Sequence, residues 1–93
     1  MRLIYRYNEA VVQISETPNE ADIEFKIHTL TDEHWAGFKE LQKSFEDNEI
    51  YTDVLFYAYE DHRCTAIVRQ DYYVDFILGL LKHQLLESVE WTK

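Results

Sequence analysis

Strict alternation of apolar and charged residues marks the clearest element in this chain. From residue 22 to 30 the two classes change places at every step, the pattern of a strand with one buried face and one face in water. From residue 31 to about 47 the apolar positions recur every three or four residues instead, which predicts an amphipathic helix. Thr31 or Asp32 is expected to cap the start of that helix.

The second half of the chain repeats these patterns in a new order. Residues 51–59 and 63–69 predict two strands joined by a short turn, and residues 88–92 predict a last strand. Residues 72–86 predict a helix with apolar positions on two faces. A helix of that kind is buried on both faces, so either the N-terminal segment or another subunit is expected to cover the second one.

The order strand, helix, strand, strand, helix, strand is typical of one fold class. We predict an α+β, ferredoxin-like βαββαβ sandwich in residues 21–93, with an antiparallel sheet and two helices on one face. Residues 1–20 are predicted to form an N-terminal β extension of the same domain, because 93 residues are too few for two separate cores.

Two arrangements of the N-terminal segment remain open from the sequence. Residues 2–15 fit either a pair of strands turning near Asn8 or one long bent strand. They also allow a second α+β fold, in which this segment joins the sheet centrally and changes the strand order. That alternative would remove the basis for placing charges at particular ends of the molecule.

The composition argues against several classes of partner. The chain has 18 Asp and Glu against 9 Lys and Arg, a net charge of −9, so nucleic acids and anionic membranes are poor candidates. No apolar run is long enough to span a bilayer. Cys64 is the only cysteine, as expected for a protein that folds without disulfides. We expect a cytoplasmic protein with no cofactor.

Alternating element directions collect acidic residues at one end of the predicted sandwich. Nine carboxylates share this predicted acidic pole: Glu16, Glu20, Asp22, Glu46, Asp47, Glu49, Asp53, Asp71 and Asp75. The group at residues 46, 47, 49 and 53 forms its centre. The pole is either a solvated surface or a docking site for a protein with a basic surface. A divalent-cation site is a further alternative.

The sequence contains only weak signals for catalytic or metal-binding groups. His28, Glu33 and His34 do not have a recognised ligand spacing, so ordinary surface histidines are favoured. A Cys–His pair at His62 and Cys64 is geometrically possible in a strand, but a small buried cysteine is favoured. We therefore predict no metal site and no catalytic residues.

The aromatic residues of the second half suggest a different surface. Tyr57 and Tyr59 fall on one face of their strand, where they would form an exposed aromatic platform unless the N-terminal segment or a second copy covers them. We predict a non-catalytic protein–protein interaction or regulatory module that uses the acidic pole. The alternative is a small-molecule-binding or enzymatic dimer that uses Tyr57, Tyr59 and Trp91.

Overall fold

A computed structural model of the chain describes residues 2–47 and 54–92. In chain order the elements are β1 (Arg2–Arg6), β2 (Val12–Pro18), β3 (Asp22–Thr29), α1 (Asp32–Glu46), β4 (Val54–Tyr59), β5 (Arg63–Arg69), α2 (Tyr73–Lys82) and β6 (Ser88–Thr92). A 3-10 turn at Gln70–Tyr72 leads into α2. The protein is an α+β protein with two helices and antiparallel strands, as the sequence predicts.

The arrangement of the strands differs from the ferredoxin-like order. Four strands form one sheet in the order β2-β3-β5-β4, whereas β1 and β6 form a separate two-stranded ribbon. The ferredoxin-like order is not confirmed, because it requires β6 beside β3 and β2 occupies that place. β2 pairs with β3 over seven residues, and Val12 at its start is fully buried. β6 pairs with only five residues of β1.

Both helices lie on the same face of the four-stranded sheet, and aromatic rings fill the space between the layers. From α1, Phe38 contacts Phe56 with ring centroids 6.0 Å apart. From α2, Phe76 contacts Phe25 at 4.8 Å and Phe56 at 6.2 Å. The core is therefore a single cluster that joins β3, β4 and both helices.

Gly79 of α2 lies directly against side chains of α1. A Cβ atom at this position would lie 2.5 Å from Cδ1 of Leu41 and 3.6 Å from the ring of Phe45. Only a residue without a side chain leaves room for that contact. The close packing explains a glycine that costs about 1 kcal/mol relative to alanine in a helix interior.

Helix α2 is shorter than the pattern of apolar residues predicts. It ends at Lys82 rather than near Leu86, because Gln84 adopts a left-handed conformation with φ of 64°. The backbone N–H of Leu85 donates to the carbonyl of Leu80 at 2.9 Å, the hydrogen bond of a Schellman C-cap. Leu85 and Leu86 then leave the helix and are buried in the core.

The buried stripe of α2 also differs from the expected one. The spacing of apolar residues predicts Val74, Ile77 and Leu78 on one buried face of α2 and Phe76 and Leu80 on the other. The side chains of Val74 and Leu78 are, however, 36% and 48% exposed. Ile77 on the first face, and Phe76 and Leu80 on the second, are fully buried as predicted. The exposed positions lie on a side of the helix that neither the sheet nor α1 covers completely, and Val74 lines a groove there with Leu3 and Trp91 of the ribbon.

The ribbon of β1 and β6 packs against the core cluster beside α2. Phe76, which lies on the predicted second face of this helix, contacts aromatic rings of the sheet and of α1 instead. Leu3 and Tyr5 of β1, together with Val89 of β6, pack against the core cluster. The segment forms two strands rather than one bent strand, and each pairs with a different partner. Neither helix in residues 2–47 and 54–92 is long and apolar enough to cross a membrane.

Candidate functional site

The face of the four-stranded sheet that points away from the helices is the largest candidate surface. We call it the open face. Its edge strand β4 presents Leu55, Tyr57 and Tyr59, which are 57%, 51% and 60% exposed. The inner face of the same strand carries Val54 and Phe56, so the predicted division of β4 into two faces is confirmed. Contiguous large side chains left in water are a feature of interaction surfaces.

Charged residues occupy the middle strands of the open face. Register pairs place β3 beside β5 as Asp22 with Arg69, Glu24 with Ile67, Lys26 with Thr65 and His28 with Arg63. Paired residues on adjacent antiparallel strands point to the same side. The open face therefore combines an apolar edge on β4 with a centre that carries both signs of charge, although the chain as a whole is strongly acidic.

One half of the open face is concave. A shallow depression of about 1070 Å³ lies near the turn between β4 and β5. Its lining includes Lys26, His28, Tyr59 and Arg63, together with Tyr7 from the segment after β1. The cationic groups of Lys26 and Arg63 beside aromatic rings suit an anionic or aromatic ligand. Three acids share the lining, namely Glu9, Glu60 and Asp61, so the depression carries both signs of charge.

Several described acids of the predicted acidic pole lie at the end of the sheet opposite that turn. Helix α1 starts beside the turn, where Trp35 stacks on His62 with ring centroids 5.1 Å apart. Its 15 residues extend roughly 22 Å to the opposite end. Glu46 and Asp47 are exposed there, at the same end as Asp22. Glu49 and Asp53, the rest of the predicted centre, lie outside the described residues.

Glu16, a member of the predicted acidic pole, forms specific hydrogen bonds with two tyrosine side chains. Its Oε2 accepts hydrogen bonds from the hydroxyl groups of Tyr5 and Tyr73, the second at 3.2 Å. Burial, followed by the hydrogen bond to the Glu16 carboxylate, raises the pKa of Tyr5 well above its usual range. Glu16 therefore links the β1–β6 ribbon to α2 and the sheet. The sequence carries no local signal for this contact, since its three members are far apart in the chain.

The turn between β4 and β5 is a tightly held structure. Asp61 and His62 both have left-handed backbones, with φ of 60° and 59°. The carbonyl of His62 accepts hydrogen bonds from the backbone N–H of Thr29 at 3.0 Å and from its hydroxyl at 3.3 Å. Its imidazole stacks on Trp35 and lies 3.6 Å from the carboxylate of Asp32. These contacts join the turn to the start of α1.

The side chains considered for a Cys–His pair and for a metal site make other contacts in the structure. Cys64 is 2% exposed, and its Sγ contacts the carbonyl of Thr65 at 3.6 Å, whereas His62 contacts Trp35. His34 is engaged at the helix start, where its Nδ1 lies 2.6 Å from the hydroxyl of Thr31. Within the described part of the chain, no three His, Cys, Asp or Glu side chains are grouped as metal ligands.

Cys64 is expected to react slowly with alkylating reagents in the folded protein. Burial raises the pKa of its thiol from 9.0 to about 11, which lowers the thiolate fraction at pH 8 about a hundredfold. Iodoacetamide labelling, followed by mass spectrometry from pH 7 to 10.5, checks this, with the urea-unfolded chain as control. Because the folded pKa is raised, the thiol's contribution to stability is present below pH 9 and is lost as the pH rises toward 11. Equal labelling rates for the folded and unfolded chain would contradict the burial.

Trp91 does not belong to the surface predicted for it. It lies on β6 and is 58% exposed, where it lines a separate groove with Leu3, Pro18 and Val74. Tyr57 and Tyr59 are on the open face of the other sheet. The structure therefore keeps Tyr57 and Tyr59 together on one strand and places Trp91 in a different layer.

Comparison with known proteins returned no match to a family model, to a curated protein or to a solved structure.

Proposed function

We propose that this protein is a non-catalytic, cytoplasmic interaction or regulatory module that binds protein chains. The observation that carries the proposal is the row of Leu55, Tyr57 and Tyr59, half or more exposed along one edge of the open face. Tyrosine buries a large apolar area at low entropic cost and is enriched at protein interfaces. A free, buried cysteine is consistent with the proposed compartment.

The acidic pole supports a preference for basic protein surfaces. Glu20, Asp22, Glu46, Asp47 and Asp71 are described acids at this end, on segments that the topology brings together. Such a concentration of one sign attracts oppositely charged partners and speeds their association, and it loses strength as salt screens it. The pole would select and orient a partner, while the open face supplies apolar contact.

Affinity capture from the native host with three bait variants tests the proposal. The Tyr57→Arg variant is expected to lose partners that the wild-type bait retains. The Glu46→Lys/Asp47→Lys variant is expected to release basic partners at lower salt. A matched control, Glu33→Lys/Glu87→Lys, makes the same change in net charge at exposed positions away from the pole and from the depression, and is expected to behave like wild type. Identical partner sets and elution profiles for all baits would overturn the proposal.

A small-molecule site is a second candidate, favoured by the depression near the β4–β5 turn. Lys26 and Arg63 place cationic groups beside Tyr59 there, although the predicted third aromatic residue, Trp91, is elsewhere. A metabolite anion that raises the melting temperature of wild type but not of a Lys26→Ala/Arg63→Ala variant would favour this function over protein binding.

A further inference from the structure

The centre of the open face can be located from the strand register. Phe25, Ala66 and Phe56 are aligned partners on β3, β5 and β4, and they point toward the helices. On each strand, the residues directly before and after this line point to the open face. The central pairs are Thr17 and Ser15 on β2, Glu24 and Lys26 on β3, Ile67 and Thr65 on β5, and Leu55 and Tyr57 on β4.

One twofold rotation lays the first residue of each pair over the second residue of the same pair in another copy of the chain. A second copy turned by 180° about the central line lays each strand over its counterpart with its direction reversed. Glu24 then lies over Lys26 of the second copy, and Leu55 lies over Tyr57. We propose that the protein forms a twofold dimer in this way, open face against open face. The inference rests on the proposed interaction function and names the chain itself as the partner.

The other simple twofold arrangement matches poorly. An axis parallel to the strands would lay β3 over β5 and β2 over β4 of the second copy. Glu24 would then lie over Ile67, and Leu55 over Thr17. That arrangement buries a charge against an apolar side chain, which is costly unless the charge is paired. The pattern of residues therefore favours the axis perpendicular to the strands.

The two ends of the open face are compatible with the proposed dimer. The rotation brings His28 over Asp22 of the second copy, where an imidazole N–H can donate a hydrogen bond to the carboxylate. It also brings Arg63 over Arg69. In the sheet, however, Arg69 lies beside Asp22, whose charge offsets this contact. The matched pairs at the centre are expected to decide the geometry.

The size of the face indicates a dimer of moderate strength. Four strands about 4.8 Å apart, with about seven residues each, make a footprint of roughly 450 Å². Interdigitating side chains enlarge the buried area, but it stays below the about 800 Å² per partner of a standard specific interface. A micromolar dissociation constant is therefore expected, so the measurement must cover a wide range of concentration.

Sedimentation equilibrium of the full chain, from about 1 to 500 µM, tests the dimer. Tyr57→Arg is expected to raise the dissociation constant about a hundredfold, because it places a charge over Leu55 of the second copy. Glu24→Lys and Lys26→Glu are each expected to raise it about tenfold, because each places two like charges opposite one another. The double variant Glu24→Lys/Lys26→Glu restores the pairing with its signs exchanged and is expected to return to within about threefold of wild type. Leu78→Arg is the control, since it places the same charge at an exposed position of α2 away from the open face, and it is expected to leave the dissociation constant unchanged.

Three results would overturn the inference. A wild-type chain that stays monomeric throughout the concentration range excludes the dimer. A dimer that responds to Tyr57→Arg but not to the single charge reversals points to edge pairing of β4, because Glu24 and Lys26 lie two strands away. A dimer unaffected by Tyr57→Arg uses another surface. If the chain is monomeric while Tyr57→Arg still loses a captured protein, the inference fails but the proposed function stands.

Discussion

Replacement of Phe76 with alanine is expected to lower the free energy of unfolding by about 3–5 kcal/mol. The side chain is fully buried, and its ring lies within 6.2 Å of three others, those of Phe25, Phe45 and Phe56. Alanine would leave a cavity at the point where both helices meet the sheet, and the surrounding rings are too rigid to fill it. Urea unfolding followed by circular dichroism measures the change.

Leu78 provides a matched control on the same helix. Its side chain is 48% exposed, so Leu78→Ala removes a large apolar group without opening a buried cavity. The expected loss is below about 1 kcal/mol. Since small domains are stable by only about 5–15 kcal/mol, the Phe76→Ala protein should show a much earlier transition. Similar midpoints for the two variants would contradict the assignment of Phe76 to the centre of the core.

Replacement of Gly79 with alanine is expected to destabilise the protein, although alanine is the better helix former. Helix propensity favours alanine by about 1 kcal/mol. The added Cβ would lie 2.5 Å from Cδ1 of Leu41, which is 1% exposed and has little room to move. Overpacking of this kind costs about 1–3 kcal/mol, so the net loss is expected to be about 1 kcal/mol.

A double-mutant cycle with Leu41→Ala separates the two contributions to the Gly79→Ala effect. Leu41→Ala removes the atom that the new Cβ would meet, at a cost of about 2–5 kcal/mol on its own. In that background Gly79→Ala is expected to stabilise the protein by about 1 kcal/mol, because propensity then acts alone. The same sign in both backgrounds would show that contact with Leu41 is not the reason for the glycine.

The candidate surfaces could be predicted to different degrees. Exposure of Tyr57 and Tyr59 on one strand face follows from alternation, because successive side chains of a strand point to opposite sides. The prediction that Trp91 shares a surface with Tyr57 and Tyr59 is wrong, because it required β6 to join the sheet that contains β4. The role of Glu16 could not be anticipated either, because Tyr5 and Tyr73 approach it from distant parts of the chain.

The pattern of apolar and polar residues by itself determined most elements of this protein. It located α1, β3, β4, β5 and β6, and with them the α+β class and the two faces of β4. These are local properties, because side-chain periodicity and capping residues act within a few positions of the chain. The same local signals overestimated the length of α2, where an αL residue other than glycine ends the helix.

Only the tertiary structure decided which strand lies beside β3. Both β2 and β6 have apolar residues for that edge, so the choice depends on the packing of the whole molecule. Seven pairs with β3 and the complete burial of Val12 favour β2, while β6 covers α2 together with β1. Strand order is a property of non-local contacts, and their energies depend on neighbours that no single segment of sequence specifies.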